Sequence, residues 1–186
     1  WELDLRAVWR RLYRDTDGSA MVSFAFVMPV LITLSLGILE FTLIIFDYQR
    51  AAEATRVGAR IVAISNPVAD VSEFTTGSSV TCSSSGGSIS CGGEDAASEG
   101  VFDTLIAEMS ALHSGIQADN VEIQYEDSGL GDPTTPGGIM PLITLRLVGM
   151  EHQFLMLSSV PGMPDHITYP PFTTNQLAGG MGPTGS

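Results

Sequence analysis

The chain contains no lysine; all eight of its basic residues are arginines. Charged residues make up only 16% of its 186 positions, against the quarter usual in soluble domains. What charge there is runs negative, to a formal −13. Beyond Ile61, fourteen carboxylates face a single arginine, Arg146. Such a surface repels a phosphate backbone, which excludes nucleic acid as a partner. Cysteine is scarce too: Cys82 and Cys91, with eight residues between them, match no zinc or redox spacing. The three histidines, His113, His152 and His166, share no metal-ligand spacing with each other or with a cysteine. There is no G-x-S-x-G elbow and no phosphate-binding loop between a strand and a helix. The expectation is a non-enzymatic chain with no catalytic residues, no metal and no cofactor.

Against this scarcity of charge stands one long apolar run. Ala20 to Phe46 is twenty-seven residues with one charge, Glu40, and sixteen of them are Val, Ile, Leu or Phe. As a helix it would reach roughly 40 Å, more than the ~20 residues needed to span a bilayer. Its aliphatic and Phe residues favour insertion by about 5–10 kcal/mol, and an off-centre acid opposes it by less than about 3.5 kcal/mol. Pro29 lies inside the run, where a membrane helix tolerates it. A cleaved secretory signal is the alternative; Ala52-Glu53-Ala54 fits its cleavage pattern, but the apolar run is too long for it. Four arginines precede the run and three follow it closely, so charge alone barely orients it. The short arginine-rich lead and the long acidic remainder favour a cytoplasmic N-terminus.

Helical spacing continues past Phe46 to about Ser65, where Asn66-Pro67 ends it. Tyr48, Ala51, Ala54, Val57, Ile61 and Ile64 form the expected buried stripe. Ala51, Ala52, Ala54, Gly58 and Ala59 would let a second helix approach closely, or the stalk would lie on its own C-terminal domain. Ser72 to Gly93, rich in Ser, Thr and Gly, reads as a loop or loose hairpin. In an oxidising compartment Cys82 and Cys91 would join there; in a reducing one they would stay thiols. Glu94 to His113 reads as an amphipathic helix. Val121–Tyr125 and Ile143–Leu147 alternate as strands, with a loop over Ser128–Gly138 and a third strand over Glu151–Leu157. An extended tail follows from Pro161, disordered from Asn175. The fold class is α+β: a leader 1–18, a transmembrane helix 19–46, a helical stalk 47–66, an extracytoplasmic domain 67–174 with one helix and a short antiparallel sheet, and a tail 175–186.

Some fifty residues of the N-terminal third carry a specific pattern. Arg10-Arg11 and Arg14-Asp15-Thr16-Asp17-Gly18-Ser19 lead into the apolar run, followed by Pro29-Val30-Leu31, Gly37-Ile38-Leu39-Glu40-Phe41 and Arg56-Val57-Gly58-Ala59-Arg60. This resembles the TadE/TadF family of pseudopilin-like proteins, which take part in building tight-adherence (Flp-type) pili. The resemblance implies a minor pseudopilin or assembly factor in a bacterial inner membrane, crossing it once. It implies cleavage by a prepilin peptidase after Gly18, leaving Ser19 as the mature N-terminus. Partners would be the lipid bilayer, that peptidase, and other pseudopilins or inner-membrane platform proteins. Ser23, Pro29, Gly37 and Glu40 are the candidates for membrane-helix assembly. Pilin-like proteins usually carry Glu at the fifth mature position to neutralise a neighbour's N-terminal amine; here that position is Ser23. Glu40 is the one acid of the span, either functional within the membrane or reaching interfacial water. The competing readings are a membrane-anchored envelope binding domain unrelated to pili, and a secreted protein released after Ala54.

Overall fold

A computed structural model describes residues 16–72, 74–132, 138–159 and 162–179. The expected leader is therefore described only from Thr16 to Gly18, and the tail beyond Gly179 lies outside the described residues. The chain divides into two units. One takes Trp1–Leu43 with Phe154–Asp165, and the other Ile44–Gln153 with His166–Ser186. A single helix, α1 (Thr16–Ile64), runs from the first into the second without a break at Pro29. It is long and apolar enough to cross a membrane, with a mean hydropathy of 2.3 in its most apolar stretch.

The second unit is a mixed α+β domain. Its six-stranded antiparallel sheet has the order β3-β2-β1-β4-β5-β8. The strands are β1 (Ser79–Ser85), β2 (Ser88–Cys91), β3 (Glu94–Asp95), β4 (Val121–Gly131), β5 (Ile139–Leu147) and β8 (Phe172–Leu177). A separate ribbon pairs β6 (Glu151–Gln153) with β7 (His166–Thr168). Period-two alternation turns Cys82, Ile123, Tyr125, Ile143, Leu145 and Leu147 into the core. Thr81, Ser83, Glu122, Gln124, Thr144 and Arg146 take the other face, which is polar and at least partly exposed.

The sheet is larger than its sequence suggested, because the Ser/Thr/Gly stretch forms strands rather than a loose loop. Ser85 pairs with Ser88 and Cys91 with Glu94, so each connection is two residues long. Both are Gly-Gly pairs with positive φ: Gly86 at 61° and Gly87 at 87°, then Gly92 at 63° and Gly93 at 95°. These are the backbone angles of the tight hairpin turn whose twist matches the flanking strands, and glycine meets them without steric cost. The second turn also moves the start of helix α2 (Glu99–Leu112), since Glu94-Asp95 is an edge strand. The expected loop at Ser128 begins later as well, because β4 continues through a register shift to Gly131. At the far end, β8 carries order through Asn175–Leu177, where a disordered tail was expected. Ala178 is buried, and the Gly179 N–H donates to the Ala63 carbonyl at 3.0 Å.

Within this unit the buried face of α1 is the small-residue face. Ala51, Ala54, Thr55, Ala59, Val62 and Ala63 are buried, whereas Tyr48 and Ile64, placed in the expected stripe, are exposed. At Gly58 the neighbour is helix α2, which buries Phe102, Leu105 and Met109. A Cβ at Gly58 would lie 2.7 Å from the Met109 sulfur and 3.1 Å from a Leu105 methyl. Gly58 thus admits the chain's own second helix.

Tyr125 seals the base of this core. Its hydroxyl accepts the Val68 N–H at 3.0 Å, just after the turn that ends α1. Burial pushes its pKa up to about 12, against an opposing pull from the Val68 hydrogen bond. The unfolded tyrosine ionises near pH ~10. Its contribution is therefore full below about pH 10 and lost as pH rises through 12, a loss on the order of 2–3 kcal/mol. Tyr125→Phe should be less stable at pH 7, with the Val68 N–H left unpaired, yet nearly flat across that alkaline window. Chemical denaturation at pH 8 and pH 11.5 checks this.

Candidate functional site

The first unit holds one arrangement that local sequence patterns do not explain. Glu40 lies on α1 in the middle of apolar neighbours, yet it is only 2% exposed. Its carboxylate accepts three consecutive backbone N–H groups. Leu155 donates to Oε1, while Met156 and Leu157 donate to Oε2 at 3.0 and 3.1 Å. A short 3-10 turn, Leu157–Ser159, follows and lets adjacent amides face one way. The Phe154 N–H donates to the Asp165 carbonyl at 3.0 Å and closes the segment. Four successive amides are thereby paired. Convergent backbone amides form an anion cradle, and hydrogen bonds to a charged acceptor are roughly twice as strong as neutral ones.

Glu151–Leu157 was expected to be one strand. The strand ends at Gln153; the Phe154 N–H still donates across to Asp165, and from Leu155 on the N–H groups turn to Glu40 instead of a ladder partner. Glu40 itself was expected to serve helix assembly or to reach interfacial water; its carboxylate is turned onto its own chain. Phe154-Leu155-Met156-Leu157 is an unbroken apolar run out of step with the alternation before it, which argues against a continuing strand but does not point to Glu40.

The other candidates on α1 are spread along it. Gly18, Ser19, Ser23 and Pro29 are exposed, and Gly37 is half-buried with open space where a Cβ would stand. Pro29 and Gly37 line a shallow apolar groove with Thr33, Phe41, Leu157 and Met163. The helix also satisfies its own hydroxyls: Thr33, Ser35 and Thr42 each donate to the carbonyl four residues back, at 2.8–2.9 Å. Back-bonding of this kind pairs a hydroxyl where water is absent. Residues 18–60 match the family model of TadE-like protein. No curated protein and no solved structure matches the chain. The TadE-like segment spans most of α1 and contains all six membrane-helix and processing candidates, from Gly18 to Glu40. The C-terminal domain falls outside it.

Where the TadE-like segment enters the second unit, aromatic and charged side chains gather. The Arg50 guanidinium stands 4.3 Å over the Phe46 ring. Tyr48 meets Tyr169 and Phe172 with ring centroids 5.8 and 4.8 Å apart, in geometries aromatic pairs favour. The Tyr169 hydroxyl donates to the Ile44 carbonyl at 3.3 Å. Burial, and then the nearby Asp47 carboxylate, raise its pKa. Asp47 Oδ2 lies 2.7 Å from the Nδ1 of buried His152. Sequence spacing could not pair these two residues, which lie 105 positions apart.

Cys82 and Cys91 form a disulfide between directly opposed residues of β1 and β2. Both are buried. Among the described residues no group of three His, Cys, Asp or Glu side chains could hold a metal ion. Reducing the bond, or replacing both cysteines by serine, should lower stability by about 2.5–3 kcal/mol on the chain-entropy account. Thermal melting with and without reductant checks this. Alkylation of unreduced protein in fresh envelopes should label neither cysteine; labelling of both would place this domain in a reducing compartment.

Proposed function

We propose that the chain is a minor pseudopilin or assembly factor of a Tad-type pilus machine, anchored once in the bacterial inner membrane. The observation that carries this reading is the TadE-like match falling on one apolar helix. Its arginine-rich lead stays in the cytoplasm, and the acidic α+β domain lies on the oxidising side, as its disulfide favours. The cluster of Phe46, Tyr48, Tyr169 and Arg50 suits the water boundary, where aromatic rings and arginine collect. The protein acts through helix packing and through its external domain, with no catalysis. A prepilin peptidase cuts after Gly18, a small residue directly ahead of the apolar run. Deleting the gene should abolish surface pili, and the chain supplied in trans should restore them. Normal piliation of the deletion strain would instead support an envelope binding domain unrelated to pili.

A further inference from the structure

Glu40 sits six residues before Phe46, the end of the apolar run, which is about 9 Å of helix. Whatever holds its carboxylate must reach that depth. Here the holder is the backbone of Leu155, Met156 and Leu157. We propose that Phe154–Leu157 is a second membrane contact, a short non-α-helical stretch seated in the outer leaflet against α1 and covered by lipid. The proposal rests on the membrane reading of α1.

Two independent features favour it. Non-helical backbone survives at membrane depth only if its polar groups find partners within the protein. The N–H groups of residues 154 to 157 all do so, one through Asp165 and three through Glu40. Two of its side chains, by contrast, are apolar and turned outward, Leu155 at 71% and Met156 at 42% exposure, with Met163 nearby at 49%; Phe154 and Leu157 are half-buried. In water, this pairing of satisfied N–H groups with bare apolar side chains would be unfavourable; in hydrocarbon it is favourable. Lipid fits better than a partner helix, because α1 beside it exposes Val30, Leu31 and Ile32 in succession, in different directions around its axis. A helical partner would leave most of that surface bare.

The test uses the full chain in phosphatidylethanolamine/phosphatidylglycerol vesicles, with the fluorophore NBD on a single introduced cysteine and the native disulfide intact. Labels go at L155C in the loop, L31C in mid-helix and T173C on the exposed sheet face. The 155 label should be quenched by acyl-chain nitroxide lipids, with iodide quenching roughly fivefold weaker than at 173, since a site below the headgroups is shielded from water. Glu40→Ala should raise iodide quenching at 155 towards the value at 173 while leaving 31 unchanged. Equal iodide quenching at 155 and 173, with 31 in acyl chains, overturns the second contact and leaves the membrane helix standing. Iodide access at 31 as well overturns the membrane reading itself. A 155 label shielded from iodide and nitroxide lipid alike, and released by diluting the protein into more lipid, would mean that protein covers the loop, which also overturns the proposal.

Discussion

Replacing Glu40 with alanine should free the segment after Gln153 while leaving the sheet intact. Three backbone donors, from Leu155, Met156 and Leu157, converge on one buried carboxylate. Removing one side of a buried, charged network costs about 3–5 kcal/mol, because the other side is left unpaired. Amide exchange at those three residues should therefore quicken by roughly a hundredfold or more, since each 1.4 kcal/mol is about a factor of ten. Glu40→Gln should fall between, as it keeps one acceptor but points an amide donor at other donors. The core strands β4 and β5 belong to the other unit, so their protection should not change. Hydrogen–deuterium exchange in detergent gives the comparison. Equal protection at residues 155–157 in the alanine variant would show that Glu40 does not hold the segment.

The second large effect concerns position 23. A repeating shaft subunit with a processed N-terminus buries its ammonium among apolar helices, and an unpaired buried charge costs several kcal/mol. Ser23 offers a hydrogen bond without charge. Glu40 cannot replace the missing acid, since it lies about 25 Å further along the helix and is already engaged by its own chain. A penalty of about 3 kcal/mol per subunit lowers incorporation by roughly a hundredfold. The protein should thus be at least that much rarer than the major pilin in sheared pili, acting at initiation, at the tip or in the membrane complex. Ser23→Glu should raise its share. Quantitative mass spectrometry of sheared pili decides; near-equal stoichiometry of the unaltered protein would mean that something other than residue 23 meets the amine.

The helix, the two central strands and the sheet's polar face were legible in the sequence because each rests on a period that burial enforces. Val121, Ile123 and Tyr125 point inward for the same reason that they alternate with polar residues. The edge of the sheet was legible in principle, in Gly86-Gly87 and Gly92-Gly93, but serines at the neighbouring strand positions hid the apolar alternation. Which face of the stalk is buried was not legible, because it depends on distant residues such as Met109 and Leu105, which meet Gly58 from some fifty positions away. The Glu40 cradle was still further out of reach. It is made of backbone amides, which every residue carries, so no side-chain spacing announces it. Glu40 could be singled out as an acid that must have a reason, and Leu155–Leu157 could not.

The central claim is that the TadE-like segment is a processed membrane helix, and the mature N-terminus tests it most directly. Intact-mass and N-terminal peptide measurements on the protein isolated from bacterial envelopes should find Ser19 as the first residue. Retention of residues before Gly18 would contradict processing and favour an independent membrane anchor, and a chain beginning at Thr55 would contradict the membrane helix altogether.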